Sequence, residues 1–318
     1  MSTPAHEQQR LVDQAPAIGV EVRDNKKRNG DVQMPTLKPP APEIADSQIA
    51  AIRRSTAVVN KRTSESAWSI SDIDWSAMRA ADLTDDDHSI VRFITYVEDH
   101  IPAFLSFNLT AFPTTGDISA PTYHRNREYA RFLFAWANDE EKHASALSHY
   151  QIAASIADEQ TLNEDLAEVG RKPFSMPYED PLEAFLYLLL QEKATQLFYG
   201  NYRQVVKEPV LRQLLHLMSR DEARHFGFYS RLVEESLERD GAHTLDRARQ
   251  VLADFRMPLD GTYPGYWRTA LKVVDRVGHD HTEAYFALEK LVRRFAHSLD
   301  ARDVDEFRTF LRTIQRMP

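Results

Sequence analysis

Glu140 and His143 stand three residues apart in FLFAWANDEEKHASALSHY, and Glu222 and His225 repeat the spacing in HLMSRDEARHFGFYSRL. Side chains at i and i+3 of an α-helix share a face and come close enough to hold one ligand between them. A carboxylate beside an imidazole suits a divalent transition ion, iron or manganese in particular. One Glu-x-x-His in a chain with 12 histidines carries little weight, since a solvated face explains it equally well. Two copies of Asp-Glu-x-x-His, each in the middle of a long aromatic-rich segment, carry much more.

Two further carboxylates complete the set: Glu98 in FITYVEDHIPAF and Glu192 in FLYLLLQEKATQLF. Glu192 follows an apolar run, where an unpaired carboxylate would cost several kcal/mol or take up a proton. Two divalent ions would cancel the four negative charges of Glu98, Glu140, Glu192 and Glu222. In the arrangement expected, Glu140 and Glu222 bridge the ions, while Glu98 with His143 and Glu192 with His225 each complete one of them. Asp139 and Asp221, next to the bridging glutamates, are placed to accept the second imidazole N–H that a metal-bound histidine usually donates. His100, beside Glu98, falls off the required helical face and is expected at the surface.

Positioning these groups takes four long helices. Apolar residues recur at three- and four-residue intervals over about 86–109, 123–156, 181–206 and 209–240, with Pro181 and Pro209 suited to first turns and Asp240-Gly241 read as a stop. Pro102 should distort the first helix. Shorter helices follow in TLDRARQVLADF, TEAYFALEKLVRRFAHSL and DVDEFRTFLRTI, and no segment of useful length has strand periodicity. Residues 1–62, rich in proline and polar side chains, read as a flexible arm ahead of a helical domain at 63–318. The class expected is all-α: a four-helix bundle with additional C-terminal helices. Its order of Glu, Glu-x-x-His, Glu, Glu-x-x-His is that of ferritin-like di-metal carboxylate bundles.

Composition narrows the chemistry. The net charge of -9 argues against nucleic acid as a partner. With no cysteine there is no disulfide, iron–sulfur cluster or thiolate ligand, so redox electrons would come from another protein or a bound organic cofactor. MSTPAHEQQR has no apolar stretch, and the run AFLYLLL is far short of the roughly 20 residues of a membrane span. A cytoplasmic protein without membrane insertion is expected.

The flanks of the ligand residues resemble one family, the soluble acyl-acyl carrier protein desaturases. FAWANDEEKHASALSHY, with Trp136 four residues before Glu140, is similar to that family's second-helix segment. LLLQEKATQLFYGN, with Gln191 and Thr195 around Glu192, resembles its third. SRDEARHFGFY, including Tyr229, resembles its fourth, while VEDHIP and FRMPLDG look like its first ligand motif and the Met-Pro connection after the bundle. The resemblance covers roughly residues 65–275. It implies two iron ions, with manganese as the other candidate, O2 as co-substrate, an acyl carrier protein as substrate carrier, a ferredoxin-type electron donor and a homodimer.

The resemblance also implies roles for particular residues. Trp136 reads either as an electron relay or as a core tryptophan, and Thr195 either as a proton-delivering group beside bound oxygen or as a packing residue. The family's acid at the Asp221 position meets an N-terminal tryptophan, for which Trp68 is the candidate over Trp75. Phe104, Phe107, Phe185, Leu188 and Phe226 would suit an acyl slot or ordinary core. Arg268, Lys272 and Arg276 repeat every four residues and form either a basic stripe for an acidic carrier or a solvated face. Family members usually have glutamate where this chain has Asp139, and the C-terminal part is shorter than in plant enzymes. A di-iron oxygenase inserting oxygen is the alternative on the same site; storage ferritins are much shorter, and ribonucleotide reductase small subunits share the bundle, but the Trp136, Thr195 and FRMP matches favour the desaturases.

Overall fold

The computed structural model of the chain describes residues 46–314 apart from 179, 262 and 264, all within one compact unit. Among the described residues the regular elements are all helices: α1 Asp46–Glu65, α2 Asp85–Asp99, α3 Ile101–Ala111, α4 Ala120–Ala153, α5 Glu159–Gly170, α6 Pro181–Val205, α7 Pro209–Arg239, α8 Gly241–Asp254, α9 Tyr266–Val277, α10 Tyr285–Arg294 and α11 Ala301–Ile314, with short 3-10 turns between some of them. None is long and apolar enough to cross a membrane.

The bundle is formed by α2, α4, α6 and α7. The α6–α7 pair is the most extensive, and α4 packs on both α2 and α7. Local chemistry sets the helix starts. Thr84 and Asp87 exchange side-chain and backbone bonds in a capping box at α2, and Ser119, Asp180 and Glu208 accept backbone N–H groups at α4, α6 and α7, each followed by a first-turn proline.

Pro102 does more than distort the first long helix. A proline ring clashes with the carbonyl four residues back, here that of Glu98, and cannot donate to it. The helix accordingly breaks at His100 into α2 and α3, leaving Glu98 in the last turn of α2.

One sequence expectation differs from the structure. The flexible arm was expected to reach residue 62, but Asp46–Glu65 is a helix that packs on α4 and α7, with Ile52 and Val59 fully buried. Its polar and proline-rich neighbours hid a short apolar stripe. Residues 1–45 of the expected arm lie outside the described residues. The stop read at Asp240-Gly241 falls where α7 ends, at Arg239 with Asp240 as its C-cap, and Gly241 also opens α8 at once; a Cβ there would require a methyl group of Leu299 to move.

The added C-terminal helices sit on the α6–α7 side, where α8 and α10 touch both and α11 covers α8. By contrast α9 spans α2 and α6. Truncating Ile52 to alanine should lower stability by about 2–5 kcal/mol, the usual cost of deleting a fully buried aliphatic side chain. A thermal unfolding midpoint identical to the wild type would show α1 to be detached from the bundle.

Candidate metal centre

The break after α2 and the i, i+3 spacing on α4 and α7 bring six side chains together in the bundle core. Glu98 from α2, Glu140 and His143 from α4, Glu192 from α6, and Glu222 and His225 from α7 are all buried. They form two groups, each with ligand atoms within 4.8 Å of one another: Glu98, Glu140, His143 and Glu222, and Glu140, Glu192, Glu222 and His225. Glu140 and Glu222 belong to both.

The imidazoles show how the pairing works. His143 Nδ1 lies 3.4 Å from Glu98, 3.2 Å from Glu140 and 3.6 Å from Glu222. His225 Nδ1 lies 3.1 Å from Glu140, 3.4 Å from Glu192 and 3.4 Å from Glu222. Neither Nδ1 has a hydrogen-bond partner, nor does Oε1 of Glu192. Such orphaned polar atoms in a core need an occupant. One nitrogen and three carboxylates around each of two positions is a donor set suited to iron or manganese, and these residues fit a pair of such ions.

Behind the imidazoles the support is crossed. His143 Nε2 is 3.2 Å from Asp221, which belongs to α7, and His225 Nε2 is 3.4 Å from Asp139, which belongs to α4. Trp68 Nε1 donates to Asp221 at 2.8 Å and its ring stacks near His143, whereas Trp75 donates to the Ile70 carbonyl. Arg224 joins the halves, with one guanidinium nitrogen 2.6 Å from Asp221 and the other 3.1 Å from Asp139. Lys142 folds back to Asp139 at 2.9 Å and lies over the Trp68 ring.

This crowding of acids dictates the proton balance without metal. Burial and the charge of Glu140 push the Glu98 carboxyl up to about 7, and the same two causes raise Glu222 well above the carboxylate range. For Glu140 burial acts upward but is outweighed by the two imidazoles of His143 and His225 beside it, which hold it low. Burial pulls both imidazoles down. Asp221, Glu140 and Glu98 more than reverse this for His143, as Asp139, Glu140, Glu192 and Glu222 do for His225.

Other sequence candidates fall in varied places. Trp136 and Thr195 line a chamber of about 40 Å³ beside Glu98, Glu140 and Glu222; Trp136 Nε1 has no partner and Thr195 donates to the Gln191 carbonyl at 3.1 Å. Tyr229 is buried and shares a hydrogen bond with Tyr129. His100 is not at the surface: it is buried at the α2–α3 break, with Nε2 2.7 Å from the Lys172 carbonyl, and belongs to neither ligand group. The basic stripe is not free either. Lys272 pairs with Asp86 and Arg276 with Asp87, because α9 packs on the acidic first turn of α2, and only Arg268 is exposed. Of the slot candidates, Phe104 lines the chamber while Phe185 and Leu188 are in the core and Phe107 and Phe226 pack against it.

Sequence reasoning missed Tyr199, whose buried phenol donates to Glu98. It also missed Arg224 and Tyr129. Tyr199 had a signal, since it stands two helical turns after Glu192 on the same face of α6.

Fold and site together define an all-α bundle with a buried carboxylate–histidine centre of the kind that holds two metal ions. A family model described as fatty acid desaturase matches residues 61–317, and the chain belongs to that family. A chloroplastic acyl-[acyl-carrier-protein] desaturase 6 from Oryza sativa subsp. japonica is 24% identical over 210 residues, 62% of this chain and 49% of the relative. A chloroplastic stearoyl-[acyl-carrier-protein] 9-desaturase 6 from Arabidopsis thaliana is 28% identical over 169 residues, 51% of this chain and 41% of the relative. The chain thus spans about half the length of these curated relatives. Among solved structures, DesA2 of Mycobacterium tuberculosis H37Rv aligns with a TM-score of 0.55 at 18% identity, covering 82% of this chain and 99% of that one. An R2-like ligand-binding oxidase from Sulfolobus acidocaldarius aligns with a TM-score of 0.52 at 14% identity, covering 76% and 90%. These likenesses establish the ferritin-like fold.

Metal uptake must displace protons from this site, and the sign follows from the shifts. Glu98 holds its proton up to about pH 7 and the imidazoles hold theirs above their ordinary range. Affinity for Mn(II) or Fe(II) should therefore fall as the pH drops through 7, by about tenfold per unit for each proton displaced. Calorimetric titration at several pH values checks this; a pH-independent affinity would contradict it.

Proposed function

We propose that the chain is an O2-dependent desaturase that introduces a double bond into an acyl chain carried on an acyl carrier protein, using two iron ions and electrons from a ferredoxin-type donor. One observation carries the reading. The chamber beside Glu98, Glu140 and Glu222 shares Val97, Gln191, Thr195 and Pro258 with an apolar cavity of about 340 Å³ between α2, α6 and α9. Phe93, Ile94, Phe198, Leu271 and Val274 are among its walls, and Trp267 and Leu271 are exposed at its rim. An apolar cavity bordering a carboxylate–histidine centre suits a hydrocarbon chain better than a polar metabolite.

Removing two unactivated hydrogens needs a stronger oxidant than any side chain, and two iron ions with O2 supply it when bound. The chain's own residues would do the rest. Glu98, Glu140, His143, Glu192, Glu222 and His225 hold the ions, and Asp139 and Asp221 orient the imidazoles. Phe104, Ile101 and Leu259 keep water from the chamber. Thr195 Oγ1 stands at the junction of chamber and cavity, where its proton, now donated to the Gln191 carbonyl, can be turned toward the site. Trp136, at the chamber wall and in edge contact with His225, is the proposed entry point for electrons.

The similarity to acyl-[acyl-carrier-protein] desaturases supports the carrier, and manganese remains the other ion the donor set accepts. With Lys272 and Arg276 tied to α2, Arg268 is the one residue of the basic stripe proposed to meet an acidic carrier. A cytoplasmic homodimer is part of the same proposal, on family resemblance.

Product analysis tests the reaction. Metal-loaded protein given reduced ferredoxin, O2 and acyl carriers should yield chains lighter by two hydrogens. A chain heavier by one oxygen would instead make the protein an oxygenase on the same site.

A further inference from the structure

The two halves of the metal centre match at the carboxylate oxygens that face the imidazoles and differ at the oxygens behind them. Glu98 Oε2 lies 3.4 Å from His143 Nδ1, and Glu192 Oε2 lies 3.4 Å from His225 Nδ1. The other two oxygens are treated differently. Oε1 of Glu98 accepts the phenol O–H of Tyr199, whereas Oε1 of Glu192 is buried with no hydrogen-bond partner.

We propose, on the reading of the six ligands as a two-ion site, that Tyr199 is a positioning residue for Glu98 and makes the two ion positions unequal. With Oε1 held by the phenol, Glu98 offers Oε2 to the ion it shares with His143. Glu192 has no such donor and can offer both oxygens to the ion it shares with His225. A carboxylate that binds through one oxygen supplies one donor fewer than a carboxylate that binds through two. The ion at Glu98 and His143 is therefore the weaker of the pair and loads second.

The helices explain why one carboxylate needs this support. Glu192 stands in the middle of α6, but Glu98 is in the last turn of α2, beside the break at His100. A helix end is less restrained than a helix centre, so a bond from a second helix is needed to fix the side chain there. Tyr199 supplies it from α6, two helical turns beyond Glu192, so a single helix carries a ligand of one ion and the anchor for a ligand of the other. The phenol is itself buried, and its ring lies against Phe198. The surroundings differ in the same sense. The chamber beside the centre has Glu98 in its wall and not Glu192, while His225 is in edge contact with Phe132 and Trp136. The position with fewer protein donors is thus the one that borders open space.

Calorimetric titration of Mn(II) into the metal-free chain tests the assignment. The wild type should bind in two steps of unequal affinity, with Glu98→Ala abolishing the weaker. Tyr199→Phe should weaken that same step by about 10–100-fold, the usual effect of losing a group that hydrogen-bonds a metal ligand, and leave the tighter step unchanged. Phe198→Leu disturbs the same packing without touching Glu98 and should leave both steps as they are. Two equal steps in the wild type would overturn the proposal, as would a Tyr199→Phe variant, folded by circular dichroism, whose weaker step does not fall or whose two steps fall together. A loss in Phe198→Leu equal to that in Tyr199→Phe would also overturn it, by making packing the cause. Each of these outcomes leaves the two-ion site standing; a wild type that binds no Mn(II) removes the site and the role of Tyr199 with it.

Discussion

Four carboxylates buried in the centre of a helical bundle are the constraint on which the structure turns. Glu98, Glu140, Glu192 and Glu222 lie close together at the core, where like charges repel and water cannot screen them. Without metal the site can balance only by taking protons: the carboxyls of Glu98 and Glu222 are pushed up and the two histidines are held charged. Two divalent cations resolve the same conflict with less compromise, because they neutralise the acids and occupy the imidazole Nδ1 lone pairs together.

Much of the surrounding architecture follows from this need. The proline break after α2 leaves Glu98 at a helix end, where Tyr199 can reach its carboxylate. Asp139 and Asp221 cross over, each supporting the histidine of the opposite helix, so that α4 and α7 cannot shift independently without loosening both imidazoles. Arg224, Lys142 and Trp68 then satisfy those aspartates, extending the polar network from the core toward α1 and the turn after it. The outer helices have a different task. They wall off space beside the centre, with α9 lining the apolar cavity.

The convergence of the six central residues was legible in the sequence because side chains that meet at one point of a bundle recur with helical spacing. Glu-x-x-His recurs on two helices, and Glu192 is conspicuous where apolar periodicity leaves no solvated face. Helix starts were legible for the same local reason, since Pro181 and Pro209 follow capping acids. What stayed hidden depended on tertiary packing. Arg224 pairs with an acid three residues before it and with another across the bundle, and only the second contact gives it its bridging place. The stripe of Arg268, Lys272 and Arg276 looked free because nothing local reveals that α9 lies on three consecutive aspartates. His100 looked exposed because a continuous helix would have pointed it away from the core; the break turned it inward. Helix α1 was masked by its neighbours' composition.

The most direct test of the account is the metal stoichiometry of the purified protein. Two iron or manganese ions per chain are expected in the wild type, and Glu140→Ala, which removes a carboxylate common to both ligand groups, should lose both. A wild type that binds neither metal, or a Glu140→Ala variant that retains two ions per chain, would contradict the central claim.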